Sequence, residues 1–164
     1  MHILAFEQTP DNRLGGQERS LFEVCQGVRE RGVNVSLAFR EPGNLLPSYR
    51  AFCECTTQVT SPYQFASKQA IAFFRALGQL WRLHQVEKWD ILYVNQYMDV
   101  TLPVVLGMLI RRPVVCHLRL PAPHYLSRQY RWGLNRCAAL IPISEHVKHD
   151  YTRHGVRVDS MQVV

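Results

Sequence analysis

Two adjacent glycines, Gly15 and Gly16, open the stretch "GGQERSLFEV" a few residues behind the apolar run "HILAF". A strand that turns through such a pair into a helix lets the backbone approach a ligand closely. It also points free N–H groups, backed by the helix dipole, toward an anion. The chemistry on offer is phosphate binding, and a plain loop-to-helix corner gives the same letters. Further along, "PVVCHLRLPAPH" places His117 and Arg119 at the end of another apolar run. An imidazole and a guanidinium there can hydrogen-bond hydroxyls and pair with phosphate; a half-buried histidine satisfied by a carbonyl is the structural alternative. "ALIPISEHVKHD" sets Ser144 between a strand and a helix. Serine is a favoured N-cap and Glu145 suits the helix dipole, so capping outweighs a ligand contact. His146 and His149 share a helix, but with Lys148 and Asp150 interleaved they read as a solvated face rather than a metal pair.

These residues need a scaffold that gathers them, and the chain alternates strand and helix. "HILAF" is a short buried-type strand. Leu21, Val24, Cys25 and Val28 draw one apolar helix face, and Arg29, Arg31 and Gly32 supply a basic last turn and a stop. "VNVSLAF" is the second strand. The piece from Glu41 to Tyr63, rich in Pro, Gly, Ser and Thr, offers one short strand around "TTQVT". A longer helix is predicted from Ser61-Pro62, with Ile71, Phe74, Leu77 and Trp81 marking its face and Gly78 weakening it. "DILYVN" is a strand; Asp99 is placed to cap the next helix, with Pro103 tolerated in its first turn. "PVVCHL", "YLSRQYRWGLNRCA", "ALIPIS" and "EHVKHDYTRHG" continue as strand, helix, strand and helix, the last ended by Gly155. "MQVV" is a final strand-like run.

Strands rich in Val, Ile and Leu between helices indicate an α/β fold. It is a doubly wound, mainly parallel, Rossmann-like sheet in a single domain over residues 1–164. In such sheets ligands bind at the carboxyl ends of the strands, near the switch in strand order. Gly16, His117 and Ser144 are therefore expected around one hollow.

The net charge of +6 and a pI of about 9.3 favour anionic company, either phosphates or an acidic membrane surface. The arginines are scattered and no nucleic-acid motif accompanies them, so nucleic acid is not expected as a partner. The longest apolar run, "LPVVLGMLI", is too short to span a bilayer and is closed by Arg111 and Arg112. No signal peptide is read at the N-terminus, and a cytoplasmic, soluble chain is expected. Of the five cysteines, Cys25, Cys116 and Cys137 fall in apolar periodic segments, and Cys53-Glu-Cys55 has the wrong spacing for a redox or zinc pair. Buried thiols in a reducing compartment follow. "GGQERS" is neither G-x-G-x-x-G nor a P-loop, and Arg40 rather than an acid follows the second strand. A nicotinamide dinucleotide is disfavoured, although Arg40 would suit a 2′-phosphate.

The ordered set resembles the N-terminal domain of GT-B fold glycosyltransferases of family 4. The opening, "HILAFEQTPDNRLGGQERSLFEVCQGVRERGVNVSLAF", is similar to that family's strand, Gly-Gly loop, "ER" helix and second strand. "DILYVNQ", "RPVVCHLR" and "LIPISEHVKHDYTRHGV" are similar to its later landmarks. The resemblance implies an acceptor-side domain facing, across a cleft, a donor-binding C-terminal domain that this chain does not contain. It implies that Gly15 and Gly16 lie by the donor phosphates or the acceptor, that His117 reaches toward the donor sugar, and that Ser144 either supports or contacts the same site, beside which Arg119 is a candidate by its own chemistry. Asn95-Gln96 stands where many members carry a histidine, and Arg119 where an acidic or small residue is common, which leaves sugar and acceptor open. The implied reaction is retaining transfer from a nucleotide sugar to a sugar or lipid-linked acceptor, with no metal, no other cofactor and no protein nucleophile. The domain by itself is expected to be inactive, and the basic net charge adds peripheral contact with an acidic membrane as an expected partner. The alternative from a different class is a stand-alone, non-catalytic binding or partner domain.

Overall fold

The computed structural model describes residues 1–13, 15–157 and 159–163. Among them the alternation read above becomes six strands and six α-helices. These are β1 (His2–Glu7), α1 (Gly16–Glu30), β2 (Asn34–Phe39), α2 (Leu46–Arg50), β3 (Cys55–Gln58), α3 (Ala70–Glu87), β4 (Ile91–Val94), α4 (Thr101–Ile110), β5 (Val114–Leu118), α5 (Arg128–Leu134), β6 (Ala139–Pro142) and α6 (Glu145–Arg153). The sheet order is β3-β2-β1-β4-β5-β6, and every pairing is parallel. The chain starts at the centre, walks to one edge, returns and walks to the other, so the direction switches between β1 and β4. Connections leaving those two carboxyl tips part to opposite sides and open a crevice.

Side-chain alternation sorts the strands between two cores. Leu4 and Phe6 of β1 join Leu92, Val94, Cys116 and Leu118 in the larger core, closed by α3, α4, α5 and α6. Ala5, Val35, Leu37 and Phe39 point the other way, onto Leu21 and Cys25 of α1 and Tyr49 of α2. The glycine stop after α1 holds: Gly32, at φ +80, lets its own N–H reach Arg29 C=O and the Val33 N–H reach Val28 C=O. All five thiols are free, and Cys25, Cys116 and Cys137 are buried.

Four expectations are corrected. The loop-like segment after Glu41 contains α2, a helix too short to show a periodicity. The predicted long helix begins at Ala70, after a 3-10 turn over Ser67–Gln69, and it is rotated. Phe73, Ala76, Leu80 and His84 are its buried stripe, whereas Ile71, Phe74 and Trp81 face outward. Both stripes are apolar at helical spacing, so packing rather than pattern chooses between them. Asp99 caps nothing. It lies buried in a 3-10 turn over Tyr97–Asp99, and α4 starts after Val100 without a side-chain cap, with Pro103 in its first turn as expected. Of the final "MQVV" run, Met161 makes an isolated parallel bridge to Leu140 rather than a strand; Val164 lies outside the described residues.

Candidate functional site at the strand tips

The last register pairs align Phe6 with Val94 and Val94 with Cys116. One residue further, Glu7, Asn95 and His117 form a rank on the α1 side of the sheet. It crosses the tips of β1, β4 and β5 at the topological switch. Glu7 is wholly buried. Its Oε1 accepts the Gln8 N–H at 2.8 Å, and its Oε2 accepts from Asn95 Nδ2 at 3.2 Å. Asn95 Nδ2 also reaches Gln17 C=O at 3.2 Å, and Asn95 Oδ1 accepts from Arg119 Nε at 2.7 Å. Arg119 Nη1 then donates to Ser20 Oγ at 2.6 Å. The network binds three strand tips to the first turns of α1 and so fixes where that helix points its N-terminus.

A second layer lies beside it. Gln8 Nε2 donates to Asp99 Oδ1, and Gln8 Oε1 accepts from Arg40 Nη1 at 3.0 Å. The Tyr63 hydroxyl lies 2.8 Å from Glu7 C=O and 3.0 Å from Ala38 C=O. Arg40, offered by the sequence to a 2′-phosphate, thus holds Gln8 and approaches Glu41 at 3.5 Å. Burial pushes Glu7 up to about 8, with Asp99 and Glu18 adding to it and the Gln8 and Asn95 donors opposing. Burial also pushes Asp99 up to about 7, against its bonds from Gln8 and Gln96. Asp99 Oδ2 has no hydrogen-bond partner among the described residues.

His117 Nδ1 lies 2.9 Å from the Tyr93 hydroxyl. Burial, with Arg119 nearby, pushes the imidazole down to about 4, and burial pushes the Tyr93 phenol up to about 12. Both are neutral near pH 7. In the tautomer in which Tyr93 donates to Nδ1, the ring proton lies on Nε2 and makes it a hydrogen-bond donor.

Gly15 and Gly16 are exposed at the start of α1, and no side chain caps that helix. A Cβ added at Gly16 would meet nothing within 4 Å, and one at Gly15 would meet the Glu18 carboxylate at 3.4 Å. Internal packing does not demand these glycines; the space in front of the uncapped N–H groups is open. The structure thus brings the Gly-Gly turn, His117 and Arg119 to one end of the sheet. Arg119 serves there largely as an internal tie. Ser144 stands one strand further out, and its Oγ accepts the Val147 N–H at 3.2 Å, so the capping role is the one observed. His146 and His149 are exposed, and among the described residues no group of three or more His, Cys, Asp or Glu is arranged to hold a metal. Glu7, Ser20 and Tyr93 were not singled out from the sequence. The available signal was the polar residue that closes each apolar run, in "HILAFE" as in "DILYVN".

The family model for Glycosyltransferase Family 4 matches residues 14–164. The chain belongs to that family. No curated protein matches the sequence significantly. Among solved structures, Anabaena Alr3699/HepE in complex with UDP-glucose superposes with a TM-score of 0.76 at 18% identity, over 100% of this chain and 43% of that one. A glycosyltransferase from Rickettsia africae gives 0.76 at 13%, over 99% and 42%. The UDP-GlcNAc 2-epimerase from Methanocaldococcus jannaschii gives 0.66 at 12%, over 100% and 45%. The Family 4 chain thus shares its Rossmann-like fold with the N-terminal part of GT-B proteins and spans less than half the length of the structures it matches. The epimerase shows that this fold also carries a different reaction, so function must be argued from the site.

Proposed function

We propose that the chain is the acceptor-side domain of a retaining glycosyltransferase that moves a sugar from a nucleotide donor to a sugar or lipid-linked acceptor. A second, donor-binding domain would complete the site. The observation that carries this reading is the uncapped, glycine-fronted start of α1, held at the β1/β4 switch by the Glu7–Asn95–Arg119–Ser20 network. Free N–H groups with the helix dipole behind them favour a phosphate, and His117 Nε2, protonated when Tyr93 donates to Nδ1, would meet a sugar hydroxyl. The Glu18 carboxylate lies over the turn and would swing outward when an anion enters. Charge on the departing diphosphate would be stabilised by oriented donors and positive groups, without a bound metal. Five free thiols suit a reducing, cytoplasmic setting.

Because UDP and UDP-glucose are bound in the HepE structures, uridine nucleotides are the first donors to test. A thermal-shift series on the longer, two-domain protein with nucleotide diphosphates and their sugars is expected to show stabilisation. Gly16→Asp is the informative variant. Its side chain has room, and an acid at a helix start preserves or raises stability. It would nonetheless set a negative charge where the phosphate belongs, so the ligand-induced shift is expected to vanish while the unliganded melt holds. Stabilisation by no nucleotide would favour the binding-module reading instead.

A further inference from the structure

Of the four apolar residues expected to bury α3, Leu77 packs half-buried against the core and the other three are turned to the outside. Ile71 is 70% exposed, Phe74 60% and Trp81 43%. Phe65, on the loop before the helix, packs edge-on against Phe74 and Phe73, with ring centroids 6.3 and 5.4 Å apart. Arg75 and Arg82 line the same open groove of about 820 Å³ as Ile71 and Phe74. At 3.6 residues per turn Phe74 and Trp81 fall on one flank of this face, Arg75 and Arg82 on the other, and Ile71 and Gly78 between them.

The charge on this surface is one-sided. No Asp or Glu occurs from Cys55 to Val86, a stretch that holds Lys68, Arg75 and Arg82. Neither arginine of α3 forms an ion pair among the described residues. A helix that presents aromatic and aliphatic side chains beside unpaired arginines matches a bilayer interface: rings enter the acyl boundary and guanidinium groups meet anionic headgroups. We infer that the outer face of α3 docks this chain on an anionic lipid surface.

The geometry also gives docking a direction. Tyr63, just before the patch, bonds carbonyls at the tips of β1 and β2, so the Phe65 end of the patch lies at the carboxyl end of the sheet. A bilayer on α3 would bring lipid beside the crevice. That consequence rests on the function proposed above, whereas the docking itself does not.

Co-sedimentation with vesicles tests the docking without any sugar chemistry. The 164-residue chain is expected to bind phosphatidylcholine vesicles containing phosphatidylglycerol, to ignore vesicles of phosphatidylcholine alone, and to release as salt is raised. Phe74→Glu should abolish binding while the chain still melts cooperatively, at a temperature lowered only by the loss of its edge contacts with Phe65 and Phe73, because the ring is mostly exposed. Arg75→Gln and Arg82→Gln should each lower partitioning roughly fivefold. Vesicles should shift tryptophan emission to the blue in the wild type and not in Trp81→Phe. Failure to bind anionic vesicles, or binding untouched by Phe74→Glu, would overturn the inference. So would self-association that Phe74→Glu disrupts in the absence of vesicle binding, which would assign the face to a second copy. Loss of vesicle binding in a longer, two-domain protein would assign it to the second domain.

Discussion

A carboxyl with two neutral donors and no exposure is held in its protonated form by burial, and Glu7 is such a group, at about 8 against an ordinary 4.5. Asp99 follows it, at about 7 against 3.8. In the unfolded chain both lose their protons near the ordinary values. Between pH 4.5 and 8 the folded state therefore binds more protons, and stability falls as pH rises through that window. His117 has the opposite sign: held neutral down to about 4 against 6.5, it removes stability as pH falls across that interval. A series of thermal melts should show a net decline from pH 6.5 to 8, where the His117 contribution levels off at its full value, and Glu7→Gln should flatten it. An unchanged slope in that variant would mean that Glu7 is ionised in the fold. Arg119 separates structure from ligand in the same way. Lysine keeps the charge but lacks the fork that spans Asn95 and Ser20, so Arg119→Lys should cost about 1–3 kcal/mol in denaturant unfolding. An arginine reserved for a ligand would leave that measurement untouched.

Two helical glycines show how differently one residue type is used at the scale of elements. A Cβ at Gly107 of α4 would lie 2.7 Å from Val114 Cγ2 and 2.8 Å from Arg112 C=O, because α4 there presses onto β5. Gly107→Ala is expected to destabilise by about 1–3 kcal/mol through overpacking. Gly78 of α3 has nothing within 4 Å, so Gly78→Ala should stabilise by about 1 kcal/mol, read in the same unfolding assay. The contrast also explains what the sequence could reveal. Strands such as "HILAF" and, apart from Asn34 and Ser36, "VNVSLAF" are mostly apolar because both faces of a parallel sheet are covered, and their short length sets them apart from the longer apolar run of α4. Helix α1 carries its stop in Gly32. Helix α3 carries two apolar stripes, Ile71–Phe74–Trp81 and Phe73–Ala76–Leu80, so periodicity supports both, and contact with α4 and the sheet selects Phe73, Ala76 and Leu80. Glu7 was hidden because one polar letter at a strand's end is common, and its meaning depends on Asn95 and Arg119, remote in sequence and adjacent only after folding.

For the molecule as a whole, the proposed function makes the sheet one wall of a crevice. Glycosyl transfer requires the donor's anomeric centre to meet an acceptor while water is kept out, and an open wall does neither. The chain covers about 43% of the HepE structure that holds UDP-glucose. The expected outcome is that the 164-residue chain folds cooperatively, binds nucleotide sugars weakly, and transfers no sugar. Stabilisation by a ligand follows its concentration relative to its dissociation constant, so millimolar UDP should raise the chain's melting temperature far less than that of a two-domain protein. Incubation with UDP-glucose, assayed for both transfer and hydrolysis, gives the decisive reading. Product from the chain alone would mean that the strand-tip network positions donor and acceptor unaided. In that case Arg119 and His117 would become the first residues to replace in search of the chemistry.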